Sequence, residues 1–310
     1  MRILVLGAGG TGGCFGGRML AAGCDVTFLV RPARAKRLAE TGLAIKSPLG
    51  DVRIPDPPTT TDAASGGPWD LILLACKAYD LETAIAAIAP AAGPDTLILP
   101  ILNGMTHVER LQAAFGAGRV LGGLAKISAA LAADGTVVQY GTFQSITFGP
   151  WDGRITPRCE AVREILARGG FETTLTPSIR QAMWDKWTFI AVCAGITCLM
   201  RGAVSDIVAG GGKPLVQALW AECAGIAAAQ GFPIAKAVAD KSLEMMTDPA
   251  SPLTASMLRD LEGGGRIESE QIVGDLLRLA APGTPVPVLS AAYVHLKTYE
   301  ARRLREAAQV

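Results

Sequence analysis

The residues of this sequence that could do chemistry form two sets, a glycine-rich turn near the start and a few scattered polar side chains. The turn is Gly7-Ala8-Gly9-Gly10-Thr11-Gly12, which follows an apolar run and opens a helical stretch. In such a turn the first glycine permits a tight bend, the second lets the backbone approach a pyrophosphate, and the third lets helix and strand pack closely. The sequence therefore predicts a dinucleotide site at Gly7–Gly12, with an ordinary glycine turn as the alternative.

The end of the second predicted strand bears on which dinucleotide binds. A site for NAD usually has Asp or Glu there, which accepts a hydrogen bond from the ribose 2′-hydroxyl. This strand ends at Arg31 without an acid, and Arg34 and Lys36 are nearby. A guanidinium binds a 2′-phosphate through charge-assisted hydrogen bonds. The pattern favours NADP(H) over NAD(H), with a solvated loop arginine as the alternative.

The scattered polar residues stand at points where folds of this kind expose ligands. Lys77 closes the third predicted strand, and Asn103, the only asparagine of the chain, follows the fourth. Because ligands collect at the carboxyl ends of parallel strands, we expect both residues to face the nucleotide, although Asn103 could simply shape an Asn-Gly turn. Lys186 begins a long apolar helical run, and Ser256 and Glu268 follow later in the chain.

The elements that must position these residues change character along the chain. Apolar runs alternate with helical patterns in the first part, which predicts βαβ units and a parallel sheet. The predicted strands are Ile3–Leu6, Asp25–Val30, Leu71–Ala75, Thr96–Ile101 and Glu172–Leu175, and the predicted helices are Cys14–Ala22, Ala33–Glu40, Leu81–Ile88, Thr106–Ala114 and Glu160–Arg168. Between them, Val137–Tyr140 and Ser145–Phe148 are predicted as antiparallel strands, with a hairpin turn at Asp134-Gly135.

Strand patterns end at Thr176, and helix-forming residues at helical spacing dominate the rest of the chain. The predicted fold class is α/β, with an N-terminal Rossmann-type dinucleotide-binding domain, residues 1–176, followed by an all-α C-terminal domain, residues 177–310. The longest apolar stretch, Thr188–Met200, is too short to span a membrane and is interpreted as a buried helix. We expect the reaction site in the cleft between the domains.

Composition excludes several classes of partner. The 29 basic and 28 acidic residues leave a net charge of +1 without any charge block, so neither nucleic acid nor a membrane surface is expected. The seven cysteines form no CxxC pair and the two histidines lack ligand company, so no metal is expected. The absence of a signal-peptide pattern predicts a reduced, cytoplasmic protein. The alanine-rich stretch Leu215–Ala229 could be internal core or could pack against a second copy, which leaves a homodimer open.

Together these motifs resemble the ketopantoate reductase (2-dehydropantoate 2-reductase) family almost from end to end. The resemblance rests on motifs in the family's order, namely Gly7–Gly12, Arg31, Lys77, Asn103-Gly104, Lys186, Ser256 and Glu268. It implies NADPH-dependent reduction of a small 2-oxo acid, ketopantoate, to pantoate on the route to pantothenate and coenzyme A. It implies that Lys186 is the general acid and that Ser256 and Glu268 bind the substrate. Lys77 and Asn103 would lie where cofactor and substrate meet.

The chemistry of ketone reduction supports these implied roles. Hydride addition builds negative charge on the carbonyl oxygen, so a nearby ammonium such as that of Lys186 lowers the barrier and supplies the proton. Glu268 could hold that ammonium in place or accept a hydrogen bond from a substrate hydroxyl. The structural alternatives are a lysine that snorkels at a helix end, a helix N-cap at Ser256, and a solvated helical glutamate.

Two positions depart from the family pattern, and both concern the substrate. The family usually carries asparagines four and eight residues after the catalytic lysine, where this chain has Ile190 and Ala194. Loss of two polar contacts weakens discrimination for a hydroxylated substrate but leaves the reductase chemistry possible. Besides ketopantoate reduction, two alternatives follow: a paralogous reductase of a more apolar 2-oxo acid, and a non-catalytic NADP-sensing regulatory module.

Overall fold

The computed structural model describes residues 1–309, which form two compact units. The first unit contains Met1–Leu102 and His107–Arg180, and the second contains Asn103–Thr106 and the chain from Gln181 onward. The predicted class, an α/β first part followed by helices alone, is confirmed, because the last described strand ends at Leu175. A domain is defined by its capacity to fold alone, so the boundary at residues 176 and 177 stays a prediction.

The strands lie in the first unit and form two sheets. Their bounds are β1 Arg2–Leu6, β2 Asp25–Leu29, β3 Leu43–Lys46, β4 Val52–Ile54, β5 Thr59–Thr60, β6 Leu71–Leu74, β7 Leu97–Pro100, β8 Leu121–Leu131, β9 Val137–Pro150 and β10 Glu172–Leu175. Each predicted strand falls within or overlaps an observed one, whereas β3, β4, the two-residue β5 and β8 were not predicted from the sequence. Strands β3, β4 and β5 have four, three and two residues, which is too few for a period to be recognised.

Helices occur in both units and make up all the regular structure described between Leu175 and residue 309. They are α1 Gly10–Ala21, α2 Pro32–Thr41, α3 Leu81–Ile88, α4 Thr106–Phe115, α5 Pro157–Ala167, α6 Ile179–Met200, α7 Val204–Ala209, α8 Lys213–Ala229, α9 Lys236–Thr247, α10 Ser256–Glu262, α11 Asp275–Arg278 and α12 Pro287–Ala307. Helix α1 begins at Gly10, inside the glycine motif and earlier than predicted. Within residues 1–309, no helix combines the length and the hydropathy that crossing a membrane requires.

The first sheet is parallel throughout and has the strand order β5-β2-β1-β6-β7. Strands β1 and β6 are almost purely aliphatic, and β6 and β7 are buried along their whole length. Such runs are typical of parallel strands with helices on both faces. Because the strands are parallel, their carboxyl ends share one edge of the sheet, which is the edge that carries the glycine turn, Arg31 and Lys77.

The second sheet corrects one strand prediction. Val137–Tyr140 and Ser145–Phe148 lie on a single strand, β9, rather than on two paired strands, and the antiparallel partner of β9 is β8. The hairpin turn at Asp134-Gly135 does join these two strands, and Gly135 has the positive φ that such a turn requires. The prediction went wrong because β8 is rich in glycine and alanine, which have low β-propensity.

The second unit is a helical body with its own apolar core. That core centres on α6, where residues 191–198 are all buried, and includes Trp184, Trp187 and Trp220. The Glu222 carboxylate of α8 accepts hydrogen bonds from the first free N–H groups of α12, at 3.1 and 2.8 Å. Since these N–H groups have no partner inside the helix, Glu222 acts as a cap supplied from a neighbouring helix.

Candidate active site

The glycine turn lies between β1 and α1, at the carboxyl end of the central strand of the parallel sheet. Gly7 has a φ of +98°, which residues with a Cβ rarely adopt, and its N–H donates to the Leu29 carbonyl of β2 at 3.0 Å. A Cβ on Gly12 would overlap the Gly7 carbonyl oxygen, whereas a Cβ on Gly9 would meet no atom within 4 Å. The turn is therefore packed on one side and open at Gly9.

The start of α1 offers unpaired backbone groups to a ligand. Gly9 is the N-cap, and the first turn, which is fully described, has neither a side-chain cap nor an acidic residue. Ala8 is buried, Thr11 is partly exposed, and a Cβ on Gly10 would lie 2.7 Å from the Ala129 oxygen of β8. Because the first N–H groups of a helix carry partial positive charge, this open, uncapped turn fits the pyrophosphate of a dinucleotide.

A clamp on the glycine turn was not predicted from the sequence. The Arg34 guanidinium of α2 donates to the Ala8 carbonyl through Nε at 3.2 Å and a terminal nitrogen at 2.9 Å, and to the Gly135 carbonyl at 3.1 Å. Burial, together with the nearby Arg37, lowers the pKa of Arg34. Arg34 therefore joins the glycine turn to the β8–β9 hairpin through carbonyls, and its charge is directed at the backbone.

Arg31 and Lys77 both stand at the carboxyl edge of the parallel sheet. Arg31 follows β2 and has a side chain that is 78% exposed, with one guanidinium nitrogen 2.9 Å from a carboxylate oxygen of Asp80. Lys77 follows β6 and precedes the 3-10 turn Ala78–Asp80. The sequence offers no acid at the end of β2, but the fold supplies one from this turn. The arginine that was predicted to bind a 2′-phosphate, Arg31, is therefore paired with a carboxylate, that of Asp80.

Three predicted site residues are joined by hydrogen bonds in the second unit. Lys186 Nζ donates to Asn103 Oδ1 at 3.0 Å, and Asn103 Nδ2 donates to Glu268 Oε2 at 3.3 Å. Glu268 is only 3% exposed, while Lys186 and Asn103 are partly exposed. An amide between an ammonium and a carboxylate must present its oxygen to the first and its nitrogen to the second, so both ends of Asn103 are fixed.

The backbone around these residues is held by a π-helical turn, Glu270–Gly274, which begins two residues after Glu268. Trp187, the residue after Lys186, donates a hydrogen bond from Nε1 to the Ile272 carbonyl of this turn at 3.0 Å. A Cβ on Gly104 would lie 2.5 Å from the Gln271 carbonyl oxygen, so the Asn103 turn packs tightly on the same segment. Single π turns inside helices are often found at functional sites.

A charged cluster ties the π turn to α12. Glu270 accepts a hydrogen bond from the Tyr293 hydroxyl at 2.8 Å and forms ion pairs with Lys297 at 2.8 Å and Arg278 at 2.9 Å. Burial alone would raise the pKa of Glu270, but hydrogen bonds from Lys297, Arg278 and Tyr293 lower it to about 2. Glu270 therefore stays ionised and holds the segment that carries Glu268.

Ser256 lies outside the Lys186–Asn103–Glu268 chain of hydrogen bonds. It is the exposed first residue of α10, and the N-cap position belongs to Ala255. The Ala255 N–H donates to Thr197 Oγ1 at 3.4 Å, which holds the start of α10 against α6. The N-cap of α10 is thus the residue before Ser256, not Ser256 as the alternative interpretation predicted. The serine side chain is accessible to solvent.

The face of α6 that follows Lys186 is apolar. Phe189 and Ile190 are partly exposed, one turn after the lysine. Cys193 and Ala194 are 4% and 2% exposed and belong to the core. Burial raises the pKa of the Cys193 thiol to about 12, so it is neutral at ordinary pH. A ligand held at Lys186 therefore meets aliphatic and aromatic side chains along this helix.

Comparison with family models covers both units of the chain. Residues 3–153 match the model described as Ketopantoate reductase PanE/ApbA, and residues 178–300 match its C-terminal companion, Ketopantoate reductase PanE/ApbA C terminal. The two matches together span most of the sequence and agree with the resemblance inferred from its motifs.

Individual relatives agree with the family models. The chain is 37% identical over 305 residues to the uncharacterized oxidoreductase YkpB of Bacillus subtilis, covering 98% of this chain and 100% of that protein. It is 28% identical over 287 residues to the 2-dehydropantoate 2-reductase of Halobacterium salinarum, covering 90% and 92% of the two chains.

Two solved structures have the same fold. The 2-dehydropantoate 2-reductase of Geobacter metallireducens superposes with a TM-score of 0.88 at 28% identity, covering 96% of this chain and 99% of that one. A D-mandelate dehydrogenase solved with NADH and anilino(oxo)acetate gives 0.86 at 20% identity, covering 98% and 99%, a likeness of fold alone. The chain therefore belongs to the ketopantoate reductase family and is an NAD(P)-dependent oxidoreductase that acts on the CH–OH group of a small molecule.

Proposed function

We propose that the protein reduces a 2-oxo acid to the 2-hydroxy acid with NADPH, and that ketopantoate is its leading substrate. The observation that carries this proposal is the hydrogen-bonded series Lys186–Asn103–Glu268. In this series the Lys186 ammonium is held in one direction by the Asn103 amide. A developing alkoxide needs such an oriented ammonium, both as a positive charge and as a proton donor. The product of that reaction, pantoate, belongs to the route to pantothenate and coenzyme A.

In this proposal Lys186 donates a proton from Nζ to the carbonyl oxygen as negative charge builds there. Asn103 keeps the ammonium oriented by accepting one of its N–H groups, so the other two point away from the amide. The Glu268 carboxylate fixes the amide and accepts a hydrogen bond from a substrate hydroxyl. Ser256, exposed at the start of α10, adds a hydroxyl contact to the substrate.

The dinucleotide is assigned to the first unit. Gly7, Gly9 and Gly12 with the start of α1 would hold the pyrophosphate, and Arg31 the 2′-phosphate. Lys77, at the end of β6, is assigned to both cofactor and substrate. The reduced nicotinamide supplies the hydride when it is bound. NADP(H) rather than NAD(H) remains the proposed cofactor because Arg31 stands where NAD-specific sites usually place an acid.

A second candidate substrate is a 2-oxo acid with an apolar tail. The observation that favours it is the α6 face beyond Lys186, where Phe189 and Ile190 are the partly exposed side chains and Ala194 is buried. An aliphatic wall binds methyl groups well but gives a substrate hydroxyl no partner, so it weakens the preference for ketopantoate. We propose a cytoplasmic location and a homodimer as secondary expectations, the latter to be checked by sedimentation.

The test is NADPH oxidation followed at 340 nm with ketopantoate and with its des-hydroxy analogue, 2-oxoisovalerate. Selective turnover of ketopantoate supports the leading proposal, and comparable or higher kcat/KM for 2-oxoisovalerate supports the apolar substrate. Turnover of neither compound, together with tight NADPH binding, would favour the non-catalytic NADP-sensing module and would contradict both substrate proposals.

A further inference from the structure

The ion pair between Arg31 and Asp80 lies at the place where the adenosine ribose of a dinucleotide is expected. Arg31 follows β2, and Asp80 ends the 3-10 turn that follows β6; both strands flank β1 in the parallel sheet. The Gly7 N–H donates to the Leu29 carbonyl at 3.0 Å, so the glycine turn is fastened to the end of β2. The ribose next to a pyrophosphate on this turn would reach Arg31.

The two partners of this ion pair differ in solvent exposure. The Arg31 side chain is 78% exposed, whereas that of Asp80 is 25% exposed and is anchored at the start of α3. Arg34 directs its N–H groups to the Ala8 and Gly135 carbonyls. Of these two arginines, Arg31 is therefore the one whose charge is available to a ligand, and it already faces the carboxylate at 2.9 Å.

We propose that Asp80 sets the choice between the two nicotinamide cofactors by competing for Arg31. This proposal rests on the proposed nicotinamide-dependent function and deepens it. A 2′-phosphate must share the guanidinium with Asp80 and must sit near a second anion, which opposes binding. A ribose 2′-hydroxyl instead donates a hydrogen bond to the carboxylate, as it does at an acid in NAD sites. Asp80 thus narrows the preference for NADPH and admits NADH.

Asparagine at position 80 removes the negative charge of the side chain. Asp80 occupies the N-cap position of α3 but makes no side-chain hydrogen bond to the helix N-terminus. Asn has the same shape and is itself a favoured N-cap residue. A matched control is Glu82 on α3, whose carboxylate lies 2.8 Å from Arg110 in an exposed ion pair. Glu82→Gln removes one negative charge nearby and leaves the Arg31 pair intact.

The experiment measures dissociation constants for NADPH and NADH by cofactor fluorescence, without substrate. In the natural protein we expect the two values to differ by less than about 10-fold. Asp80→Asn should tighten NADPH about 3- to 10-fold and weaken NADH about 2-fold, with a smaller effect at high salt. Glu82→Gln should leave the ratio of the two constants within about 1.5-fold of its original value, in the range of weak surface charge effects.

A double-mutant cycle tests whether Asp80 acts through Arg31. In an Arg31→Ala background, Asp80→Asn should tighten NADPH clearly less than it does in the natural protein, because only the repulsion between carboxylate and phosphate is then relieved and no guanidinium is released. Equal shifts for both cofactors, no shift, or a gain of undiminished size in that background would overturn the proposal. Because binding is measured without turnover, a protein that binds NADPH but reduces no 2-oxo acid would contradict only the proposed substrate chemistry. Failure to bind either nucleotide would overturn both proposals.

Discussion

The dinucleotide turn of the first unit and the Lys186 group of the second unit are built on opposite principles. The turn is a contiguous stretch, Gly7–Gly12, in which backbone N–H groups and the absence of side chains do the work. The Lys186 group consists of three side chains, and Asn103 lies 83 residues from Lys186 and 165 from Glu268. Backbone sites depend on shape, whereas side-chain sites depend on charge and on the elements that bring them together.

This difference predicts different failures. A substitution in the turn should act through steric overlap, and its effects should fall on stability and cofactor affinity. A substitution of Lys186 should leave the fold and cofactor binding intact and act on the chemical step, because this side chain is only partly buried.

The largest expected effect is that of Lys186→Ala. Removing the ammonium takes away both the proton donor and the charge that stabilises the alkoxide, so kcat should fall by about 10²- to 10⁴-fold. The dissociation constant for NADPH should change little, because Lys186 belongs to the second unit. Steady-state kinetics and fluorescence titration give the two quantities.

Lys213→Ala, at the exposed start of α8, is the control for loss of a lysine and should retain natural kcat. A Lys186→Ala protein with kcat within about 5-fold of the natural value would contradict the general-acid role and the magnitude expected for acid catalysis.

Sequence reasoning reached the local features and missed the ones made by long-range contact. The glycine motif and the aliphatic strands predicted the parallel sheet, because turn chemistry and apolar runs are encoded by neighbouring residues. The Arg31–Asp80 pair joins residues 49 apart, and no periodicity announces it. Family order brought Asn103, Lys186 and Glu268 into one hypothesis, but their hydrogen-bond order depends on the π turn, whose i to i+5 pattern has no simple sequence signature.

The second prediction contrasts Gly12→Ala with Gly9→Ala. A Cβ at position 12 would overlap the Gly7 carbonyl oxygen, so the free energy of unfolding should fall by about 2 to 3 kcal/mol. At position 9 a Cβ would meet no protein atom within 4 Å, so stability should be nearly unchanged while NADPH affinity falls. Urea denaturation and cofactor titration distinguish the two. A loss of stability at Gly9 equal to that at Gly12 would refute the assignment of an open side.

The third prediction concerns the support behind Glu268. That support is Glu270, whose pKa in the folded protein is about 2, below the ordinary glutamate value. Ionised Glu270 therefore stabilises the fold at neutral pH. That contribution is complete above the unfolded pKa of about 4.3 and is lost as pH falls toward 2. Solvent screens this partly exposed cluster and reduces the effect. Glu270→Gln should therefore lower the free energy of unfolding by about 1 to 2 kcal/mol at pH 7.

The measurement is urea unfolding of the natural protein and of the Glu270→Gln variant at pH 7, 6 and 3. The difference in the free energy of unfolding should be the same at the two higher values and smaller at pH 3. Glu306→Gln, which breaks an exposed pair with Arg302 on α12, is the control and should change stability little at any of these pH values. A difference that grows on acidification would mean that Glu270 does not carry the cluster's charge.

The smallest expected effect sharpens the substrate side of the contrast. Ile190 is partly exposed one turn after Lys186, so asparagine can be placed there without burying a polar group in the core, as it would be at Ala194. Ile190→Asn should raise the ratio of kcat/KM for ketopantoate to that for 2-oxoisovalerate by about 3- to 10-fold, since an amide can bond the substrate hydroxyl. Ile190→Leu, which keeps the wall apolar, should leave the ratio unchanged. If Asn and Leu shift the ratio equally, the α6 face does not contact the tail of the substrate, and the specificity must come from another element.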